Sequence, residues 1–279
     1  MEVRGANCLV TGCSSGIGRA AALALEAAGA QVFPSARRQE AIADLAGRGM
    51  QTLELDVTDA QAVDRCVATP QPLDVLVNNA GYGLEGAVEE VADDELLEQY
   101  EVNVFGVWRM CRAALPRMRE RGSGAIVNVS SFGGQAPFPG IAAYRSSKFA
   151  LEGLTWTLRL EVAHFGIRVL SVQPGLTDTD FGKRSLRRAR LSKNGGPYAA
   201  MRASAARAYP KMSPTAQAPE DVAQAIVSAL RADWPPLHVR VGEDGKRILA
   251  ALAKGDDEYE RYLVEELGFD WHSPYARSH

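Results

Sequence analysis

Short apolar runs alternate with longer stretches of helical periodicity along most of this chain. Ala6–Thr11, Gln31–Ser35, Gln51–Leu55, Leu73–Val77, Ala125–Ser130 and Ile167–Val172 are each five or six residues long with apolar centres. They read as buried strands. Between them lie an Ala/Leu-rich helix up to Ala28, closed by Gly29, and a helix over Asp59–Ala68. A longer helix is expected from about Asp93 to Arg121, with Pro116 able to bend it, and another from Tyr144 to about Phe165. Further on, Pro219-Glu-Asp opens a helix, and Leu237–Val241 reads as an edge strand. Two short amphipathic helical stretches fill Gly245 to about Leu267.

Strands alternating with helices predict an α/β fold: a doubly wound, parallel sheet of about seven strands with helices on both faces. Residues 176–217 break the alternation. A long segment there, beside the ligand edge of the sheet, is expected to be a substrate lid. No repeat or linker interrupts the chain. Residues 1–279 therefore read as one domain, with the lid and a helical C-terminal extension at about 245–279.

Composition narrows the class. The 279 residues are 46% hydrophobic, enough for a large core. A net charge of −3 argues against general nucleic-acid binding, so no nucleic-acid partner is expected. No uncharged apolar run reaches the roughly 18 residues of a membrane span, and the N-terminus lacks a signal-peptide pattern. Cys8, Cys13, Cys66 and Cys111 have no CxxC spacing. They read as reduced thiols of a cytoplasmic protein without a metal site. His164, His238, His272 and His279 are scattered, and are expected to be structural or exposed.

In a parallel sheet, ligands bind at the carboxyl ends of the strands. Gly12, Arg37, Asp56, Asn78 and Ser131 all fall there. Gly12, Ser14, Ser15, Gly16, Ile17 and Gly18 join a strand to a helix, the setting of a phosphate loop. Arg37 and Arg38 follow the second strand, and no Asp or Glu lies between Gln31 and Arg38. Arginine at that point accommodates a 2′-phosphate, which favours NADP(H) over NAD(H). Tyr144 and Lys148 share one helical face, about 6 Å apart along the axis. A tyrosine of pKa about 10 is a poor proton shuttle. A nearby ammonium lowers that value, and the phenol can then exchange a proton with a carbonyl or alcohol oxygen. Ser131 can hydrogen-bond the same oxygen. Asn103 is a poor helix former inside an expected helix, where its side chain would cap a local irregularity. The basic run Lys183, Arg184, Arg187, Arg188, Arg190 and Lys193 reads as a solvated helix face more than an anion site.

These motifs resemble the short-chain dehydrogenase/reductase family, with its Rossmann fold, from about Ala6 to Gly242. The likeness rests on Thr11-Gly-Cys-Ser-Ser-Gly-Ile-Gly18, Asp56-Val57, Asn78-Asn-Ala-Gly81, Asn103, Ser131, Tyr144, Lys148 and Pro174-Gly-Leu-Thr-Asp-Thr179. The resemblance implies that Tyr144 is the acid/base and that Lys148 holds the nicotinamide ribose and tunes the tyrosine. It also implies that Ser131 steadies the substrate and that Asn103 positions a water leading to Lys148. Asp56, Val57, Asn79, Ala80 and Gly81 would line the cofactor cleft, with Pro174, Gly175, Leu176, Thr177 and Thr179. Arg37 matches a basic position that goes with NADP(H). Ser14 and Ser15 stand where many NADP-preferring members carry a further basic residue. Gly81–Gly86, Val104–Trp108 and Lys148–Gly153 resemble, more loosely, the branch of 17β-hydroxysteroid and retinol dehydrogenases. That likeness implies a bulky, lipophilic ketone or alcohol, steroid- or retinoid-like. The alternatives are an acyl-thioester ketoreductase and a non-catalytic dinucleotide sensor. Relatives commonly pair through their long helices, so a homodimer or homotetramer is expected.

Overall fold

The computed structural model describes residues 1–179, 185–193, 195–212 and 216–269. Nine strands and ten α-helices form within these residues. In chain order they begin β1 (Asn7–Val10), α1 (Gly16–Ala27), β2 (Gln31–Ala36), α2 (Ala43–Gly47), β3 (Leu53–Glu54), α3 (Ala60–Ala68), β4 (Val75–Asn78) and β5 (Gly83–Glu85). There follow α4 (Asp93–Tyr100), α5 (Val107–Arg121), β6 (Gly124–Val129), α6 (Ala142–Val162), β7 (Ile167–Pro174) and β8 (Leu186–Arg188). The last are α7 (Ala199–Met212), α8 (Pro219–Arg231), β9 (His238–Val241), α9 (Glu243–Leu252) and α10 (Asp256–Glu265).

Seven strands form one wholly parallel sheet in the order β3-β2-β1-β4-β6-β7-β9. The order reverses between β1 and β4, which opens a crevice at the carboxyl edge, as in a Rossmann fold. Alternate residues of each central strand face opposite layers. Cys8, Val10, Val75, Val77 and Val127 pack with α1 and α8 through residues such as Leu25 and Ile226. Leu9, Leu76, Ile126 and Val169 pack the other way, against Val63 of α3, Met110 and Met118 of α5, and Leu151 and Leu158 of α6. Both faces are covered, which is why these strands read as continuous apolar runs. Each fully buried Leu, Ile or Met contributes about 1.5–3 kcal/mol relative to exposure. A third cluster joins α7, α9 and α10 to the loop after β6, through Phe132, Phe138, Met212, Ile248 and Leu263.

Three features depart from the sequence expectation. The third strand shortens to Leu53–Glu54, paired on one side only. The long helix is not continuous: Glu101–Gly106 forms a π-helical turn between α4 and α5. Gly106 fits it because an added Cβ would lie 2.7 Å from Val57 Cγ2. Finally, β5 and β8 make a small parallel sheet, binding the segment after β4 to residues 186–188. Among the described residues no helix is long and apolar enough to cross a membrane.

Candidate active site

The turn between β1 and α1 is shaped by glycine. Gly12 and Gly16 have φ of 75° and 58°, a region that strains other residues. Gly18 lies inside α1, where a Cβ would collide with Gly12 O and the Asn79 side chain. Ser15 precedes α1 without a side-chain capping bond, and the first turn holds no acidic residue. The helix start is thus left to an external acceptor, which suits the pyrophosphate of a dinucleotide. Thr11 and Asn79 bolt this turn to the loop after β4. Thr11 Oγ1 accepts from Asn79 N at 2.9 Å and Ala80 N at 3.0 Å. Asn79 Nδ2 donates to Thr11 O at 2.9 Å and Gly12 O at 3.2 Å.

A cavity of about 650 Å³ opens over the carboxyl edge of the sheet. Gly12, Ser14, Ser15, Gly16 and Ile17 line it, with Arg37, Asp56, Val57, Asn79, Ala80 and Gly81. Its other walls include Ser131, Tyr144, Lys148, Pro174, Gly175, Leu176, Thr177 and Thr179. Four residues singled out in the sequence stand outside it. Gly18 supports the turn from behind, Arg38 is exposed, and Asn103 is buried behind Gly81 and Tyr82. Asn78 is buried at the end of β4, where its Nδ2 donates to Asn128 Oδ1 at 2.9 Å. At the end of β2, Ala36 is buried, whereas Arg37 is exposed and makes no ion pair with any described residue. Asp56 Oδ1 accepts from Thr58 N at 2.9 Å and Thr58 Oγ1 at 2.8 Å, which fixes its carboxylate at the rim.

Ser131 follows β6, and its Oγ accepts from Gly133 N at 3.0 Å. It also hydrogen-bonds the Tyr144 phenol. Burial raises the Tyr144 pKa above its ordinary value; the Arg145 cation and the Ser131 bond oppose this without cancelling it. Lys148 Nζ donates to Val129 O at 3.0 Å and lies 5.8 Å from the centre of the Tyr144 ring. Burial lowers the lysine pKa to about 8, with Glu152 pulling the other way. The expected depression of Tyr144 by Lys148 is therefore not what this arrangement yields. Burial outweighs it, and the cation acting on the phenol is Arg145. At neutral pH the phenol holds its proton, which suits donation to a carbonyl oxygen.

Asn103 sits in the π-turn. Its Oδ1 accepts from Tyr82 N at 3.1 Å, and its Nδ2 donates to Tyr82 O at 2.9 Å and Ser147 Oγ at 3.2 Å. The side chain joins the widened turn to the segment after β4 and to α6. Both Nδ2 hydrogens and one Oδ1 acceptor position are used there, and the amide makes no hydrogen bond to Lys148.

Other contributors carried no local sequence signal. Asp244 at the start of α9 is buried, and its Oδ2 accepts from Leu176 N at 2.6 Å. A chain-distant carboxylate thus fixes the loop after β7. Tyr209 of α7 lines the cavity, as does Arg145. The basic run is partly committed to carboxylates. Arg187 pairs with Glu98 at 2.8 Å and stacks on Tyr82, and Arg190 pairs with Asp94 at 2.5 Å. Arg187 and Arg188 lie on β8, not on a helix face. Lys183 and Arg184 lie outside the described residues, as do His272 and His279. His238 faces the buried Glu152, Nε2 to Oε2 3.3 Å, and all four cysteines are free and buried.

An uncapped helix start facing a glycine turn, in one cavity with a half-buried phenol beside a serine and a lysine, defines a nicotinamide-dependent oxidoreductase. Residues 6–189 match the model of the short chain dehydrogenase family, and the chain belongs to that family. It is 41% identical to a short-chain dehydrogenase structure from Streptomyces avermitilis, with a TM-score of 0.81 over 93% of this chain and 96% of that one. A short chain dehydrogenase from Burkholderia cenocepacia, solved in complex with NADP, is 28% identical with a TM-score of 0.75, covering 95% and 99% of the two chains. Human 17-beta-hydroxysteroid dehydrogenase type 1 is 34% identical over 254 residues, 82% of this chain and 75% of that protein.

Proposed function

We propose that this enzyme transfers hydride between NADP(H) and a ketone or secondary alcohol with a bulky, lipophilic body. The observation that carries the proposal is the half-buried Tyr144 phenol, beside Ser131 in the cavity that also holds Lys148 and the glycine turn. The turn and α1 would hold the pyrophosphate, Arg37 the adenosine phosphate, and Lys148 the nicotinamide ribose. Bound there, the nicotinamide supplies or accepts the hydride. Ser131 orients the substrate oxygen, and Tyr144 passes it a proton in the direction of reduction. The apolar wall of Phe132, Ile141, Leu176 and Leu186 supports a lipophilic substrate, as does the similarity to a hydroxysteroid dehydrogenase. β8 and α7, which follow β7 in the chain, flank the cavity through Leu186 and Tyr209. The pairing of Arg187 and Arg190 with carboxylates counts against phosphate recognition there, and so against the acyl-thioester alternative. NADPH oxidation with a panel of steroid, retinoid and aliphatic ketones tests the reading; no turnover with any ketone would refute it.

Cofactor choice gives a sharper test. A guanidinium can grip a 2′-phosphate through paired, charge-assisted hydrogen bonds, but gains little from a neutral hydroxyl. Such bonds contribute about 1.5–3 kcal/mol, so Arg37 alone favours NADP(H) by roughly tenfold to a hundredfold. Ser14 and Ser15 add no second cation. Ala36→Asp with Arg37→Ala is expected to reverse the order of kcat/KM for the two cofactors. A wild type that prefers NAD(H) would remove this role from Arg37.

The same reading extends to assembly. Phe105, Trp108, Phe149, Trp156 and Leu160 on or beside α5 and α6 are 43–70% exposed. An apolar groove beside them is lined by Phe105 and Trp108, with Val104, Gly153 and Leu154. Large exposed apolar surface of this kind marks an association site, and we take its occupant to be a second copy of the chain. Light scattering at micromolar concentration should give a dimer or tetramer, and Trp108→Glu should shift it to monomer. A monomeric wild type would count against this face.

A further inference from the structure

Arg145 follows the catalytic tyrosine on α6, and it is an unusual residue to find buried. It is 7% exposed, and Cζ lies 4.7 Å from the centre of the Phe132 ring and 5.5 Å from that of Phe138. The titratable groups that act on it are the phenols of Tyr209, Tyr259 and Tyr144; no carboxylate is among them. Among the described residues, the one hydrogen bond of its guanidinium runs from Nη1 to Ala136 O, 2.9 Å. Nε is buried without a partner among the described residues, and Nη2, on the same edge of the guanidinium, makes no bond to them either. Two aromatic faces and one carbonyl offset only part of the cost of burying a cation. The Nε/Nη2 edge is the side-on fork with which arginine grips a planar carboxylate. Arg145 lines the substrate cavity together with Tyr144 and Tyr209. No hydrogen bond runs from the Tyr209 hydroxyl to a described residue, so a second donor is available beside the fork. Tyr259, by contrast, is committed to Pro137 O.

We propose that Arg145, assisted by Tyr209, forms an oxyanion subsite in the substrate chamber, so that the ketone or alcohol handled at Tyr144 carries a carboxylate on the same molecule. This rests on the oxidoreductase reading above and refines its substrate to an oxo or hydroxy acid with an apolar body. A carboxylate fits better than a phosphate: the site offers one cation and one planar fork, matched to a singly charged planar group. The alternative is that Arg145 is a plug, holding the loop after β6 through its two ring contacts.

The test compares straight-chain oxo acids of graded length with their methyl esters, by calorimetry on the NADP⁺-saturated protein. The expected result is that at one chain length the acid binds about tenfold to a hundredfold more tightly than its ester, the factor of a charge-assisted hydrogen bond. Arg145→Met should weaken the acid about tenfold more than the ester, and Arg145→Lys should recover part of the difference. Equal binding of acid and ester to wild type at every length overturns the proposal, whether or not the variants fold. Equal weakening of both by Arg145→Met also overturns it and leaves the plug. NADPH oxidation with neutral esters is scored separately. Turnover of esters without acid preference sinks the subsite alone. Selective acid binding without any turnover upholds the subsite and sinks the oxidoreductase reading of the substrate.

Discussion

Tyr144→Phe is expected to retain NADPH affinity while kcat falls by about two to four decades, the usual range for a general acid. The change removes one hydroxyl and almost no volume, so the surrounding cluster of Phe132, Ile141 and Leu176 has nothing to repack. The lost group is the hydroxyl that lies beside Ser131 and is proposed to pass the proton. The raised pKa sets the sign of the pH dependence. A phenol that holds its proton above pH 10 serves reduction across the neutral range. Oxidation needs the phenolate and should gain rate as pH rises. Stopped-flow measurement of hydride transfer in both directions checks this. Near-normal kcat in Tyr144→Phe would mean that another group delivers the proton.

Lys148→Met should lose most activity and also loosen NADPH, by about tenfold or more, because one amine is asked to serve both. Folding should survive. The substitution removes a buried charge, though it leaves Val129 O without its donor, at a cost of about 1–3 kcal/mol. The lysine also leaves a thermodynamic signature. Unfolded, it holds its proton to about pH 10.4; folded, it releases it near 8. Between these values the unfolded chain binds more protons, so stability rises with pH from about 8 to about 10. The variant should lack that rise. Wild-type kcat/KM for reduction should fall above pH 8 as the cation is lost, and the residual activity of Lys148→Met should show no such limb. If only the pH profile changed while the Kd for NADPH held, the amine would not be gripping the ribose.

The sheet was legible because its strands are buried on both faces. Leu73–Val77 and Ala125–Ser130 could hardly be anything else between a turn and a helix. The carboxyl-edge residues followed from topology, since parallel strands all end on the same side. What was illegible lay in contacts between distant segments. Nothing near Asp244 suggests that it would hold Leu176, 68 positions earlier. Three-residue strands such as β5 and β8 carry too little pattern to announce a pairing. The electrostatics around Tyr144 were illegible for another reason. Spacing placed Lys148 on the right face, but burial and the Val129 carbonyl decide its proton affinity, and neither is written in the spacing. Asn103 was flagged as an irregularity in a helix. The kind of irregularity, a widened turn held by both ends of its amide, came only with the backbone.

That widened turn sets the phase of everything around it. A π-turn accommodates an added residue in a helix, and each residue of an α-helix advances the face by about 100°. Asp93–Tyr100 and Val107–Arg121 are therefore out of step with one another by that rotation, so that Asn103 meets Tyr82 while Met110 and Cys111 of α5 still meet the sheet. Deleting a single residue between Glu101 and Gly106 would let the two helices merge into one continuous α-helix. The merged helix would have to expose Met110 or drag Asn103 away from Tyr82. A one-residue deletion, harmless in many surface loops, is a frameshift in three dimensions here.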